Sequence, residues 1–260
     1  MILENLTSLH KREEQIRADS LHLIEENESL SQHLAMIHGS MNVIYAFAHD
    51  HANATDDELT IQYIGLRLFN TAASSLKLSL SGYYQPGFAL VRDIYETVEL
   101  LDYMRSSPEQ ITVWRVSDKK QRIANFGAGV IHNKLNERDR LSINKRKEIY
   151  DLLSEYASHA TSPGFQLLAP EGLGLIGPFL SKKYLKAWIE EAVKYVVYGA
   201  TIFIDHFPKI EIPPLEAKAV FLNQSTIWRE KYMTNTKLPN PDACLTPVHG
   251  YDRGSPKGIF

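Results

Sequence analysis

One cysteine, Cys244, occurs in 260 residues. That scarcity excludes an internal disulfide framework and a cysteine-rich zinc site. Charge of one sign is also lacking: 28 Lys and Arg face 31 Asp and Glu, a net charge of −3. Such a balance gives no global attraction to a nucleic-acid backbone, although a local basic patch stays open. No long apolar run is present. The most apolar stretch, 192–204, contains Lys194 and falls short of the roughly 20 residues a membrane helix needs. The opening Met1-Ile2-Leu3-Glu4-Asn5 meets charge too soon for a secretory h-region. Strand-like alternation, internal repeats and Gly-rich phosphate loops are missing too, and no motif implies a cofactor. The expectation is a soluble, cytoplasmic protein that does not enter a membrane.

Hydrophobic residues at 44% and charged residues at 23% are ordinary for a globular chain. Ile2, Leu9, Ile16, Leu23, Leu30, Ile37 and Ile44 recur at a spacing of seven. A second row has Leu6, Leu34 and Met41, but Glu13, Ser20 and Asn27 interrupt it. This pattern describes a narrow coiled-coil seam. It predicts a long N-terminal helix over 1–38 that forms a homo-oligomer, with Asn27 setting the register. The same stripe also suits a helix packed along its own domain. Gly39-Ser40 marks a kink. A helical bundle domain over 40–234 and an extended or disordered tail over 235–260 follow.

Within the bundle, Asp56-Asp57 opens a helix at 59–81, whose apolar residues recur every three or four positions. Pro86 suits the first turn of the next helix, which runs to about Arg105. Another helix begins near Pro108, with an interruption at Phe126-Gly127-Ala128-Gly129. The charged stretch 133–147 reads as a solvated connection, and a helix over 144–160 follows it. Prolines and glycines make 161–178 a long ordered loop. Residues 181–207 form a central helix, and Pro213-Pro214 introduces a last one ending near Thr234. The fold class is mainly α, an irregular multi-helix bundle.

Four clusters carry possible chemistry. Arg92, Glu96, Glu99 and Tyr103 fall within about 60° on one helix face. They read either as a solvated stripe or as a groove in which Arg92 grips an anion. Ser154 and His159 lie on the later helix, where a histidine near the C-terminus is favoured by the helix dipole. His49-Asp50, completed by His132 and His206, would suit the single metal of a phosphohydrolase. A locally basic middle, from Arg115 to Lys147, offers a phosphate patch beside Trp114 and Phe126, or a charge-mixed solvated face.

The Arg-x-x-x-Glu helix of Arg92 and Glu96, the Ser-x-x-x-x-His of Ser154 and His159, and Gly177-Pro178-Phe179 before a long apolar helix together resemble bacterial all-helical proteins of the broad HEPN-like group. The resemblance spans about residues 55–210. It implies a helical bundle, often dimeric, that binds a nucleotide, nucleic acid or partner protein in defence or stress. The RNase members place an Arg four to six residues before a His on one helix. Here Arg122 and His132 are separated by nine, so no catalytic residue is carried over. Arg92, Glu96, Ser154 and His159 are the expected ligand-binding residues. The alternatives are the metal-dependent phosphohydrolase and a dimeric adaptor built on the heptads.

Overall fold

Polar caps set several of the helix boundaries in the computed structural model, which describes residues 6–141, 144–170, 172–207 and 212–233. Asn27 Oδ1 accepts from Leu30 N at 3.1 Å, Thr55 Oγ1 accepts from Glu58 N, and Asp118 with Gln121 closes a reciprocal capping box. These caps separate α1 (Leu6–Glu25) from α2 (Glu28–Asp50), begin α3 (Asp56–Leu80), and divide α5 (Glu109–Val116) from α6 (Lys119–Phe126). The chain also forms α4 (Tyr84–Ser106), α7 (Ala128–Arg138), α8 (Lys145–Leu153), α9 (Lys182–Asp205) and α10 (Ile212–Tyr232). A π-turn over Ser154–Ser158 extends α8, and a 3₁₀ turn over Gly164–Leu168 punctuates the following loop. No strand occurs among the described residues, so the fold is a mainly α bundle.

The core lies where α2, α3, α4 and α9 meet. The second half of helix α9 is apolar nearly all round, and Trp188, Ile189, Val193, Val197, Phe203 and Ile204 are each at most 2% exposed. Gly199 permits its close approach: a Cβ there would stand 2.6 Å from Val98 Cγ2 and 3.0 Å from Leu68 Cδ2. Some of the polar groups inside are bonded in chains. Trp188 Nε1 donates to Ser75 Oγ at 3.0 Å, and Ser75 Oγ donates to the Gly87 carbonyl at 2.9 Å. Gln62 donates to the carbonyls of Phe47 and His51, tying the end of α2 to α3.

The heptad residues lie in this bundle. Ile16, Leu30, Ile37 and Ile44 are at most 2% exposed within the single chain. The seam thus packs α1 and α2 along their own domain, the second of the two uses the stripe allows. Its polar interruptions have local roles. Glu13 accepts from Tyr83 OH at 2.8 Å, Ser20 is buried, and Asn27 caps α2 instead of setting a register between chains. A break at Asn27 therefore replaces the continuous helix expected over 1–38. The kink expected at Gly39-Ser40 is absent: α2 runs through it, and Ser40 Oγ donates back to the Met36 carbonyl. Gly39 instead makes room for α10, since a Cβ would meet Gln224 Oε1 at 3.0 Å. The predicted tail over 235–260 lies outside the described residues.

The stretch 133–147 departs most from its expected form. Its first part belongs to the end of α7, with Leu135 and Asn136 buried and Arg138 turned toward α4. Arg138 and Arg146 pair inward with Asp102 and Glu99, while Lys134, Glu137 and Arg140 are exposed.

Candidate functional site

Helix α4 sets Arg92 and Glu96 one turn apart, and the end of α8 is laid against them. The π-turn is closed by the His159 N–H donating to the Ser154 carbonyl at 2.9 Å, five residues back. Gln85 donates to the Ala157 carbonyl, fixing the turn to the start of α4. Arg92 then bonds across the junction. Its Nε donates to Ser154 Oγ at 2.8 Å, and Nη2 donates to Glu96 Oε1 at 3.1 Å and to Tyr150 OH. The guanidinium carbon lies 4.5 Å from the Tyr150 ring centroid, within cation–π range.

Three of the four expected site residues, Arg92, Glu96 and Ser154, therefore converge. His159 contributes its backbone N–H to the π-turn while its side chain is exposed. Arg92 is already neutralised by Glu96 and commits three of its five N–H donors. Its surroundings suit a clamp between helices better than an open anion grip.

The rest of the polar face of α4 is buried, not solvated. Glu99 is 6% exposed and Asp102 is fully buried. Asp102 accepts both Arg138 Nη1 and Nη2 at 2.9 Å and Tyr198 OH at 2.9 Å. Burial pushes this carboxyl up, but the bonds from Arg138 and Tyr198 outweigh it and hold the group below its ordinary value. Glu99 is less well served. Its Oε2 lies 2.9 Å from Arg146 Nε, yet the two are not aligned as a hydrogen bond and neither has such a partner. Burial raises the Glu99 carboxyl to about 7, against the pull of Arg146.

A cleft of about 200 Å³ opens between α4 and α7, bounded also by Arg67 of α3 and Phe126 of α6. Asp93, Glu96, Thr97, Glu99 and Leu100 form its α4 wall, and Ala128, Ile131 and His132 its α7 wall. His132 is 1% exposed, and its Nε2 has no hydrogen-bond partner. Its ring stands edge-on to Tyr150 at 5.5 Å, so the cleft and the Arg92 junction share a wall. Burial, assisted by the Arg146 charge, lowers the His132 pKa to about 4, which leaves the imidazole neutral near pH 7. At the mouth Arg67 pairs with Asp93.

The metal alternative finds no assembled ligand set. His49 Nδ1 lies 2.6 Å from Asp50 Oδ1 and its ring stacks on Tyr45. His206 Nε2 is 3.0 Å from the Leu101 carbonyl, while His132 lines the cleft. Among the described residues no group of three or more His, Cys, Asp and Glu could hold a metal ion. The basic middle is in part occupied. Arg115 pairs with Asp56 and Asp57, Arg138 with Asp102 and Asp139, and Arg146 with Glu99 and Asp139. Phe126 is buried and faces the cleft, and Trp114 packs against the core.

Sequence reasoning missed the importance of Glu99, Asp102, Arg138 and Arg146, and it placed His132 in the wrong company. A repeated acidic residue at 96, 99 and 102 on an otherwise apolar helix was the available signal, because solvated carboxylates rarely spread so far round a central helix. No helix among the described residues is long and apolar enough to cross a membrane. No family model, curated protein or solved structure matches the chain.

Proposed function

We propose that this protein acts by binding a small molecule in the cleft between α4 and α7, with Glu96 joining that cleft to the Arg92–Ser154 junction. The observation that carries the reading is the cleft itself, about 200 Å³ between Asp93, Glu96 and Glu99 of α4 and Ile131 and His132 of α7. The HEPN-like resemblance supports a nucleotide, nucleic acid or partner protein as the bound species, in defence or stress, and we propose the cytoplasm as the compartment. Cleft size favours the small-molecule end of that range, since about 200 Å³ holds a base-sized group and no folded strand. In this reading Arg92 and Ser154 are positioning residues that hold α8 and Tyr150 against His132.

The test is a ligand screen of amines, nucleosides and nucleotides against the wild-type protein and an Ala128→Phe variant, whose larger side chain would fill the cleft. Ligands that stabilise the wild type and lose their effect in the filled variant support the proposal. Equal stabilisation of both proteins removes the cleft from consideration.

A further inference from the structure

We infer that the outer face of α10 is the surface on which a second copy of this chain docks, the two helices packing antiparallel about a twofold axis. The inference is independent of the cleft.

Helix α10 holds to the bundle by one row of side chains. Phe221, Ser225 and Trp228 are buried, and Trp228 Nε1 donates to His33 Nδ1 of α2 at 2.9 Å. At about 100° per residue, Ile212, Glu216, Ala219, Val220, Asn223 and Ile227 share the opposite side of the helix, and all six are exposed. A helix at the rim of a bundle ordinarily turns charge to the water there. Helix α1 does so, with Leu6 as its one exposed large apolar residue. Helix α10 instead exposes Ile212 at 72%, Val220 at 58% and Ile227 at 60%, with Leu215 and Leu222 beside them. Glu216 is its only exposed charged residue between 212 and 228. A helix apolar on its inner and outer faces alike belongs in an interior, so the outer face calls for a cover.

The order of residues on that face says which cover fits. From Ile212 the steps to Glu216, Ala219, Val220, Asn223 and Ile227 are four, three, one, three and four, the same read from either end. Two copies laid antiparallel therefore set Ile212 against Ile227, Glu216 against Asn223, and Ala219 against Val220. The twofold axis repeats each pair, which is the self-complementarity an isologous contact requires. Ala219 beside the axis lets the helices approach to the about 8–10 Å of ordinary helix packing. The Asn223 amide can donate to the facing Glu216 carboxylate, and the two Glu216 stand roughly 10 Å apart along the helices. A parallel pair would face Glu216 with Glu216. A partner of another sequence would have no need of this symmetry. One pair of helices is a small interface, so the dimer is weak, with a Kd on the order of 10 µM.

The experiment measures sedimentation of the full-length protein at concentrations on either side of that Kd, for the wild type, Val220→Glu and Asn223→Lys. The wild type is expected to pass from monomer to dimer. Val220→Glu sets two carboxylates beside the axis and should weaken the dimer at least about tenfold. Asn223→Lys gives the facing Glu216 an ammonium and should tighten it about threefold. Disulfide formation in a Cys244→Ser background reads the register. Ala219→Cys should oxidise to a covalent dimer, because its two copies meet at the axis. Ile227→Cys should not, because its copies lie roughly 22 Å apart along the helices. A wild type that stays monomeric throughout overturns the proposal and leaves the face to a different occupant. A dimer indifferent to Val220→Glu uses another surface and overturns it as well. Equal cross-linking of the two cysteine variants would show a parallel pair, which also contradicts it. Should Val220→Glu not fold, Asn223→Lys decides alone: a tighter dimer supports the contact, and an unchanged Kd removes it.

Discussion

Arg92 Nε donates to Ser154 Oγ at 2.8 Å, joining two helices whose residues stand 62 apart in sequence. The bond locates Tyr150, which abuts both the Arg92 guanidinium and the His132 ring. One arginine thereby positions a wall of the cleft without lining it.

Replacing Arg92 with Ala should destabilise the protein by about 1–3 kcal/mol, because it strips partners from Glu96, Ser154 and Tyr150 at once. Lysine should restore little, since a single ammonium does not reproduce the planar fork. Urea unfolding midpoints of the two variants decide the matter. A wild-type midpoint for Arg92→Ala would return the residue to the role of a free anion binder.

Asp102 is the more severe site. Asp102→Ala leaves Arg138 with Asp139 alone of its two carboxylate partners and leaves Tyr198 OH facing an unfilled space. A loss of about 3–5 kcal/mol is expected. Amide exchange should accelerate first in α7, the element that Arg138 anchors.

Stability should fall on acidification. His33 accepts from Trp228 Nε1 at 2.9 Å, and burial holds its pKa at about 4. Below pH 6.5 the unfolded chain takes up a proton that the folded imidazole resists. Its stabilisation is therefore complete above 6.5 and lost progressively down to about 4. His132 acts in the same sense over the same window. Glu99 acts oppositely: its raised pKa makes folding more favourable as pH falls from about 7 toward 4.5. Two histidines against one glutamate leave a net loss in acid. His33→Asn, which keeps an acceptor near the Trp228 N–H but does not titrate, should flatten the pH dependence of the urea midpoint between 6.5 and 4. An unchanged slope would show that His33 does not drive it.

Two glycines should respond with opposite signs. Gly199→Ala drives a methyl to 2.6 Å from Val98 Cγ2 and should cost about 1–3 kcal/mol. Gly129 has nothing within 4 Å of the corresponding position and lies in the first turn of α7. Gly129→Ala should stabilise by about 0.5–1 kcal/mol through helix propensity and a less flexible unfolded chain. Thermal melting of the pair checks both.

Much of the fold was legible from short-range signals. The apolar periodicity of 59–81, Pro86 and the breakers of 161–178 place α3, α4 and the long loop close to where they occur. The candidate site was half legible. The Arg92–Glu96 spacing marked the right face of α4, and Ser154 proved to be its partner. The heptad row was seen correctly but does not specify what covers it, since one apolar stripe serves a second chain or the same chain equally. Gly39-Ser40 was misread because helix propensity yields to packing where α10 presses on α2.

By itself the sequence determined the helical class, most of the helices and which positions are apolar, because caps, breakers and periodicity act within a few residues. Tertiary structure decided which charges are buried. Asp102 and Arg138 are 36 residues apart and Glu99 and Arg146 are 47 apart, so only the docking of α7 and α8 onto α4 pairs them. That docking also encloses His132 beside Glu96 and Glu99, creating the cleft. Local spacing carries no record of such encounters: they depend on how whole helix faces fit together.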